Sequence, residues 1–187
     1  MKKLHSLISE QKEDAKHGAS FFPIQKYITS FSPEYPVLTT HWHEEAEFTL
    51  ILSGTGTYHI ELTEYGIGPE DLIFIPPLAL HSASAPEGLS LLSETYVFHM
   101  NYLGGNSTDI CSTKYLQPLA HHEMVLPSVI KPGHPSYLSL RKIFGQISNL
   151  YQGENPGYEL ALKALLLQMI FLLLQFKETA PAFDGAN

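Results

Sequence analysis

Residues 25–100 carry six short β-type runs: Gln25–Phe31, Val37–His43, Glu47–Leu52, Thr57–Thr63, Asp71–Ile75 and Leu89–Met100. Gly, Pro, Ser and Asn separate them. Strands this short and this closely spaced cannot bury an apolar face alone, so they must pair into a sandwich or barrel. Tyr58, Ile60 and Leu62 alternate with His59, Glu61 and Thr63, the period of a strand with two unlike faces. Leu72-Ile73-Phe74-Ile75 is instead continuously apolar, as expected of a strand covered on both sides. Gly54-Thr55-Gly56 and Glu64–Gly68 read as hairpin turns. Pro76-Pro77 stops a strand, because neither residue donates to a ladder.

Near residue 136 the pattern changes. Gly104–Thr113 is loop-like and Leu116–Pro127 fits no single period. Lys131–Ser136 is a break, with Ser136 in N-cap position. Leu140, Phe144, Ile147 and Tyr151 then fall at i, i+4, i+7 and i+11, one stripe of a helix over Tyr137–Tyr151. A second helix is predicted from Tyr158 to Phe176. It is apolar all round, yet it is shorter than the ~20 residues a bilayer core needs and is interrupted by Lys163, Gln168 and Gln175. Leu162, Leu165, Leu166, Met169, Leu172 and Leu173 form a stripe broad enough for a second subunit, which predicts a homodimer. The expected organisation is an arm over 1–19, a β-barrel over 20–135, a helical element over 136–178 and a tail over 179–187.

Eleven basic and nineteen acidic residues give a net charge of −8, and Arg141 is the sole arginine. Such a chain lacks the cationic face that releases counterions from phosphates, so it is not itself a nucleic-acid binder. One cysteine, Cys111, excludes an internal disulfide framework and a multi-cysteine zinc site. The N-terminus has no apolar run of signal-peptide length, so a cytoplasmic protein is expected. No lysine follows Gly54-Thr55-Gly56 at phosphate-loop spacing, and no G-x-S-x-G elbow occurs. His121-His122 reads as a surface pair, since adjacent strand residues point to opposite faces.

One constellation carries chemistry. His41-Trp42-His43, Glu47 and Gly54 form H-x-H-x3-E-x6-G, and Pro76 and His81 follow. In an extended strand His41 and His43 share a face, Glu47 opens the next strand, and His81 comes from a further strand of the same barrel. Three imidazoles and a carboxylate suit a divalent transition metal: Zn, Ni, Fe, or Mn on the harder carboxylate. The other reading is a polar lining of a ligand cavity. His59, Glu61, Glu94, Tyr96 and His99 also lie on strand-like segments whose alternation allows them to face that cavity, where Tyr and His suit a sugar.

These segments resemble motifs one and two of the cupin superfamily. Motif one matches from His41 through Gly54, with Tyr35 in place of its leading glycine. In motif two, Pro76 and His81 match, while Glu70, Leu78 and Ala85 replace two glycines and an asparagine. Residues 20–176 as a whole resemble the N-terminal sensing and dimerisation domain of AraC-type transcription regulators. Three stretches carry the likeness: His41–Phe48 with Gly54, Asp71–Pro77 ending in His81-Ser82, and Pro156–Leu167. The resemblance implies a mainly β fold, a cupin double-stranded β-helix (jelly-roll barrel) followed by a helical pair. It also implies a small-molecule effector such as a carbohydrate held by His41, His43, Glu47, His59, Glu61, His81 and Tyr96. An N-terminal arm closing over that ligand belongs to the same expectation. DNA would be contacted only through a helix-turn-helix domain that has no counterpart in these residues. The alternative is a metal-dependent cupin enzyme, a dioxygenase or sugar isomerase, with the metal on His41, His43, Glu47 and His81.

Overall fold

The computed structural model describes residues 10–153 and 155–177. The expected tail at 179–187 and the first half of the arm lie outside the described residues. Among the described residues nine strands form two antiparallel sheets: β1 (Ile24–Phe31), β2 (Val37–His41), β3 (Glu45–Gly54), β4 (Gly56–Ile60), β5 (Thr63–Ile67), β6 (Leu72–Ile75), β7 (His81–Ser84), β8 (Leu91–His99) and β9 (Val129–Ile130). One sheet has the order β1-β8-β3-β6-β9 and the other β2-β7-β4-β5. The chain passes back and forth between them, which is the winding of a jelly-roll barrel.

Strand alternation assigns the two cores. Ile51, Ile73, Ile75 and Leu91 of the five-stranded sheet meet Tyr58, Ile60, Ile67 and Ala83 of the four-stranded sheet inside the barrel. Ala46, Phe48, Leu50, Leu72, Phe74, Tyr96 and Phe98 point to the opposite face of the larger sheet, into a second core shared with the helices. All four residues of β6 are buried, as its unbroken apolar run requires.

A short helix α1 (Met100–Leu103) follows β8. The segment of mixed pattern forms a π-helical turn (Ser112–Leu116) running into α2 (Gln117–Ala120). The two long helices are α3 (Tyr137–Tyr151) and α4 (Tyr158–Leu174). On α3 the predicted stripe of Leu140, Phe144 and Ile147 is buried, and the Phe144 ring meets Tyr96 edge-on at 5.4 Å. Ser136 occupies the N-cap position but its hydroxyl makes no capping bond.

Two turns differ from expectation. Gly54-Thr55-Gly56 does not close a hairpin, because β3 and β4 belong to different sheets. It is the corner where the chain changes sheet. Gly54 sits there at φ +82°, and a Cβ on it would lie 2.0 Å from the Ser90 carbonyl oxygen, so only glycine fits. Segment 64–68 is mostly strand, with Tyr65 opposite Tyr58. The reversal falls earlier, at Glu61 (φ 54°) and the fully exposed Leu62.

The stripe on α4 is also corrected. Leu162, Leu166, Met169 and Leu173 are wholly buried in the chain's own core, with Leu165 and Leu172 half-buried beside them. The ridge facing away consists of Leu160, Ala164, Gln168 and Phe171. A helix apolar all round has little preferred face of its own, so only the packing decides which leucines are inside. Leu166→Ala is expected to cost ~2–5 kcal/mol of stability, and Leu160→Ala no more than ~0.5 kcal/mol. Urea unfolding of the two variants measures the difference.

Candidate metal centre

β2 and β7 pair so that His41 and His81 are register partners, which brings their rings to 4.2 Å. Strand β2 ends at His41, so His43 lies in the connection to β3 and not in the strand expected through it. Its ring is still 5.1 Å from that of His81 and 5.8 Å from that of His41. Glu47 points into the barrel with Thr49 and Ile51 because it shares their parity on β3. The ligand atoms of His41, His43, Glu47 and His81 all lie within 4.8 Å of one another. His43, Glu47 and His81 are buried.

Each imidazole is held by its outer nitrogen. Nδ1 of His41 meets the Thr39 carbonyl at 2.8 Å, that of His81 the Ala79 carbonyl at 2.9 Å, and that of His43 the Glu45 carbonyl at 3.1 Å. A carbonyl can only accept, so each Nδ1 carries the proton, and Nε2 is left toward the centre. His43 Nε2 and Glu47 Oε1 are 2.7 Å apart. That contact needs a proton between them, and a bound cation takes the proton's place. His81 Nε2 is buried, lies 3.4 Å from Glu47 Oε1 and has no hydrogen-bond partner. An orphaned buried acceptor costs about 1–3 kcal/mol, and a metal ion satisfies it. The donor set therefore fits a divalent metal.

The electrostatics agree. Burial would raise the pKa of Glu47, but the hydrogen bond with His43 and the positive charge of the adjacent His81 and His43 outweigh it and hold the carboxyl far below the usual carboxylate range. Burial would lower His81, but the adjacent Glu47 carboxylate raises it. His41 is lowered by burial and by the positive charge of His81.

The motif departures do not dismantle the turns. Glu70 (φ 71°) and Leu78 (φ 65°) stand where the second cupin motif has glycine, and both are left-handed. The Leu78 amide donates to the His43 carbonyl at 2.8 Å. The backbone thus keeps a glycine conformation under other side chains, and His43 and His81 stay in place.

The remaining predicted residues do not join the cluster. His59 projects from the outer face of β4 and pairs with Glu64 at 3.0 Å. Glu61, in the turn, accepts from the Leu80 amide. Tyr96 faces the helices, its hydroxyl donating to Glu94, which pairs with Lys26 at 2.8 Å. Parity is the reason for His59 and Tyr96, since Tyr58 and Ile60 take the inward positions on β4, and Thr95 and Val97 those on β8, while Glu61 is taken up by the reversal. Nδ1 of His99 accepts from the Asn101 amide and caps α1. Conversely, Glu13, His17 and Tyr27 do reach the site. A cavity of about 200 Å³ at the barrel mouth is lined by Glu13, His17, Tyr27, His41, Glu47 and Tyr58 among others. Their signal in the sequence is slight, a Glu-x3-His in a polar leading segment.

The family model described as the AraC-like ligand binding domain matches residues 29–170. The chain belongs to that family. The match takes in all four candidate ligands and most of both long helices, while Glu13 and His17 precede it. No curated protein matches the sequence. Solved structures similar to it include cupin barrel proteins. A predicted oxalate decarboxylase from Thermotoga maritima is 21% identical, with TM-score 0.37, over 40% of this chain and 65% of that one. A cupin 2 conserved barrel domain protein from Rhodopseudomonas palustris is 21% identical, with TM-score 0.38, over 43% and 55%. A deletion mutant of Bacillus subtilis oxalate decarboxylase is 21% identical, with TM-score 0.37, over 41% and 21%. In each case the likeness spans less than two thirds of the other chain. Among the described residues no helix is long and apolar enough to cross a membrane.

Two outcomes are expected. A metal must displace the proton that Glu47 helps His81 to keep, so zinc affinity should rise from about pH 6 to about pH 8. The rise should flatten in His81→Gln; chelator competition at several pH values checks it. Leu78→Gly relieves ~1–2 kcal/mol of left-handed strain against ~0.5–1 kcal/mol of added chain entropy. It should raise the urea midpoint slightly.

Proposed function

We propose that this chain is the effector-sensing domain of an AraC-type transcription regulator, taking a small polar molecule, a carbohydrate or small acid, into the barrel mouth. The observation that carries this reading is a chamber between the sheets, walled partly by Leu38 and Val97, into which His41, Glu47, Tyr58 and Tyr27 bring polar groups, with Glu13, Ala15 and His17 of the N-terminal segment along its edge. Its volume, about 200 Å³, is below the ~300–1,000 Å³ of drug-sized ligand pockets. It suits a compact ligand with hydroxyl or carboxylate groups. His41, His43, Glu47 and His81 would hold a Zn, Ni, Fe or Mn ion, and the ion when bound supplies a Lewis-acidic anchor for a ligand oxygen. The chain's own residues orient it: Thr39, Ala79 and Glu45 carbonyls fix the imidazoles, and the barrel walls exclude water.

Binding changes the output only by favouring one arrangement of the domain over another. The helices, packed on the back of the same sheet that carries Glu47, connect the site to a partner subunit and to a DNA-binding unit. In this reading a homodimer forms through the ridge of Leu160, Ala164 and Phe171, since the buried leucines of α4 are spent on the core. Phe171→Glu should then shift the protein toward monomer in sedimentation without lowering its unfolding midpoint. Work at DNA places it in the cytoplasm.

The complete ligand set favours a second reading, a metal-dependent cupin enzyme. A panel of sugars and small acids separates the two. Saturable binding without turnover, weakened in His41→Ala by ~1–3 kcal/mol for a lost polar partner, supports the sensor. Turnover that follows metal content supports the enzyme.

A further inference from the structure

The N-terminal segment reaches the centre from outside the barrel. Lys12 forms a parallel bridge with Trp42: the Trp42 amide donates to the Gln11 carbonyl at 3.0 Å and the Glu13 amide to the Trp42 carbonyl at 2.9 Å. Lys12 pairs with Glu44 at 2.6 Å and lies over the Trp42 ring at 5.3 Å. These contacts pin the segment across the loop that joins His41 to His43. They aim Glu13 inward, with Oε2 3.8 Å from His41 Nε2 and 3.3 Å from His17 Nε2. Ligand atoms of Glu13, His17 and His43 also lie within 4.8 Å of one another, so this trio shares His43 with the four-residue centre. The His17 side chain is only 4% exposed. Its Nδ1 is 3.0 Å from the Tyr27 hydroxyl, and its buried Nε2 has no hydrogen-bond partner.

We propose that Glu13 is a further ligand of the cation held by His41, His43, Glu47 and His81, with His17 as the positioning residue for its carboxylate, so that cation binding locks the N-terminal segment over the barrel. This rests on the metal reading of the centre. Charge is the reason the two events are linked. Glu13, half-buried, and Glu47, buried, bring two carboxylates to one chamber, where like charges repel. A divalent cation neutralises both. A docked segment therefore raises cation affinity, and a bound cation raises the fraction docked, by the same factor. The four-ligand centre alone, with one carboxylate, leaves a net positive charge when loaded. Glu13 and His17 lie outside the residues that the family model matches.

Trypsin reads the docked state, because Lys12 and Lys16 both lie in the segment. The full chain is stripped of metal, titrated with Zn²⁺ against a chelating dye, and digested with and without saturating Zn²⁺. In the wild type, zinc should slow cleavage after Lys12 and Lys16. Glu13→Gln should bind zinc roughly tenfold or more weakly and, even when saturated, show no slowing. Glu13→Asp should restore part of both. In His17→Gln the zinc affinity should fall less than in Glu13→Gln while protection is reduced. Equal affinity and equal protection in wild type and Glu13→Gln would overturn the assignment and leave the four-residue centre standing. Failure of the wild type itself to bind zinc, nickel or manganese would overturn both.

Discussion

The five-stranded sheet is buried on both faces, and that constraint organises the molecule. On β3, Ala46, Phe48 and Leu50 face one way and Thr49 and Ile51 the other; β6 is buried at every position. Each face needs its own cover, and a fully buried Leu, Ile or Phe side chain contributes ~1.5–3 kcal/mol. The four-stranded sheet covers one face and closes the barrel. The long helices cover the other, which is why the leucines of α4 turn inward and why Tyr96 packs edge-on against α3, away from the chamber.

The same two-faced sheet sets the dielectric of the site. Glu47 is on the inward face of a central strand, between hydrocarbon-lined strands, and could not stay ionised there alone. His43 and His81 keep it ionised, and the three imidazoles are in turn held by backbone carbonyls of the strands and turns around them. The centre is therefore a consequence of strand register as much as of residue type. A shift of β7 against β2 by one residue would send His81 to the outside.

Much of this was legible in the sequence. The H-x-H-x3-E pattern with Pro76 and His81 named the four residues that converge, because motif spacing encodes which strand ends meet. Period 3.6 gave α3 to the residue, since one polar face is unambiguous. Other features were hidden for definite reasons. Parity on β4 and β8 could not be read from Tyr, His and Glu, which are at home on either face, so His59, Glu61 and Tyr96 were placed with the ligand and are elsewhere. Glu64–Gly68 looked like a turn because its glycines are common in turns, yet the reversal sits at Glu61 and Leu62. The glycine positions of the second motif looked lost, although Glu70 and Leu78 still adopt the left-handed backbone that glycine would favour.

By itself the sequence determined the kind of fold and the four side chains that converge, because these depend on local periodicity and on residue chemistry at fixed spacing. Only the tertiary structure decided which leucines of α4 are core and which remain on the surface, which strand faces look inward, and that Glu13 and His17 lie beside His41 and His43. Those facts depend on contacts between residues far apart in the chain. A helix without a polar face and a polar segment without a period carry no local record of what they will pack against.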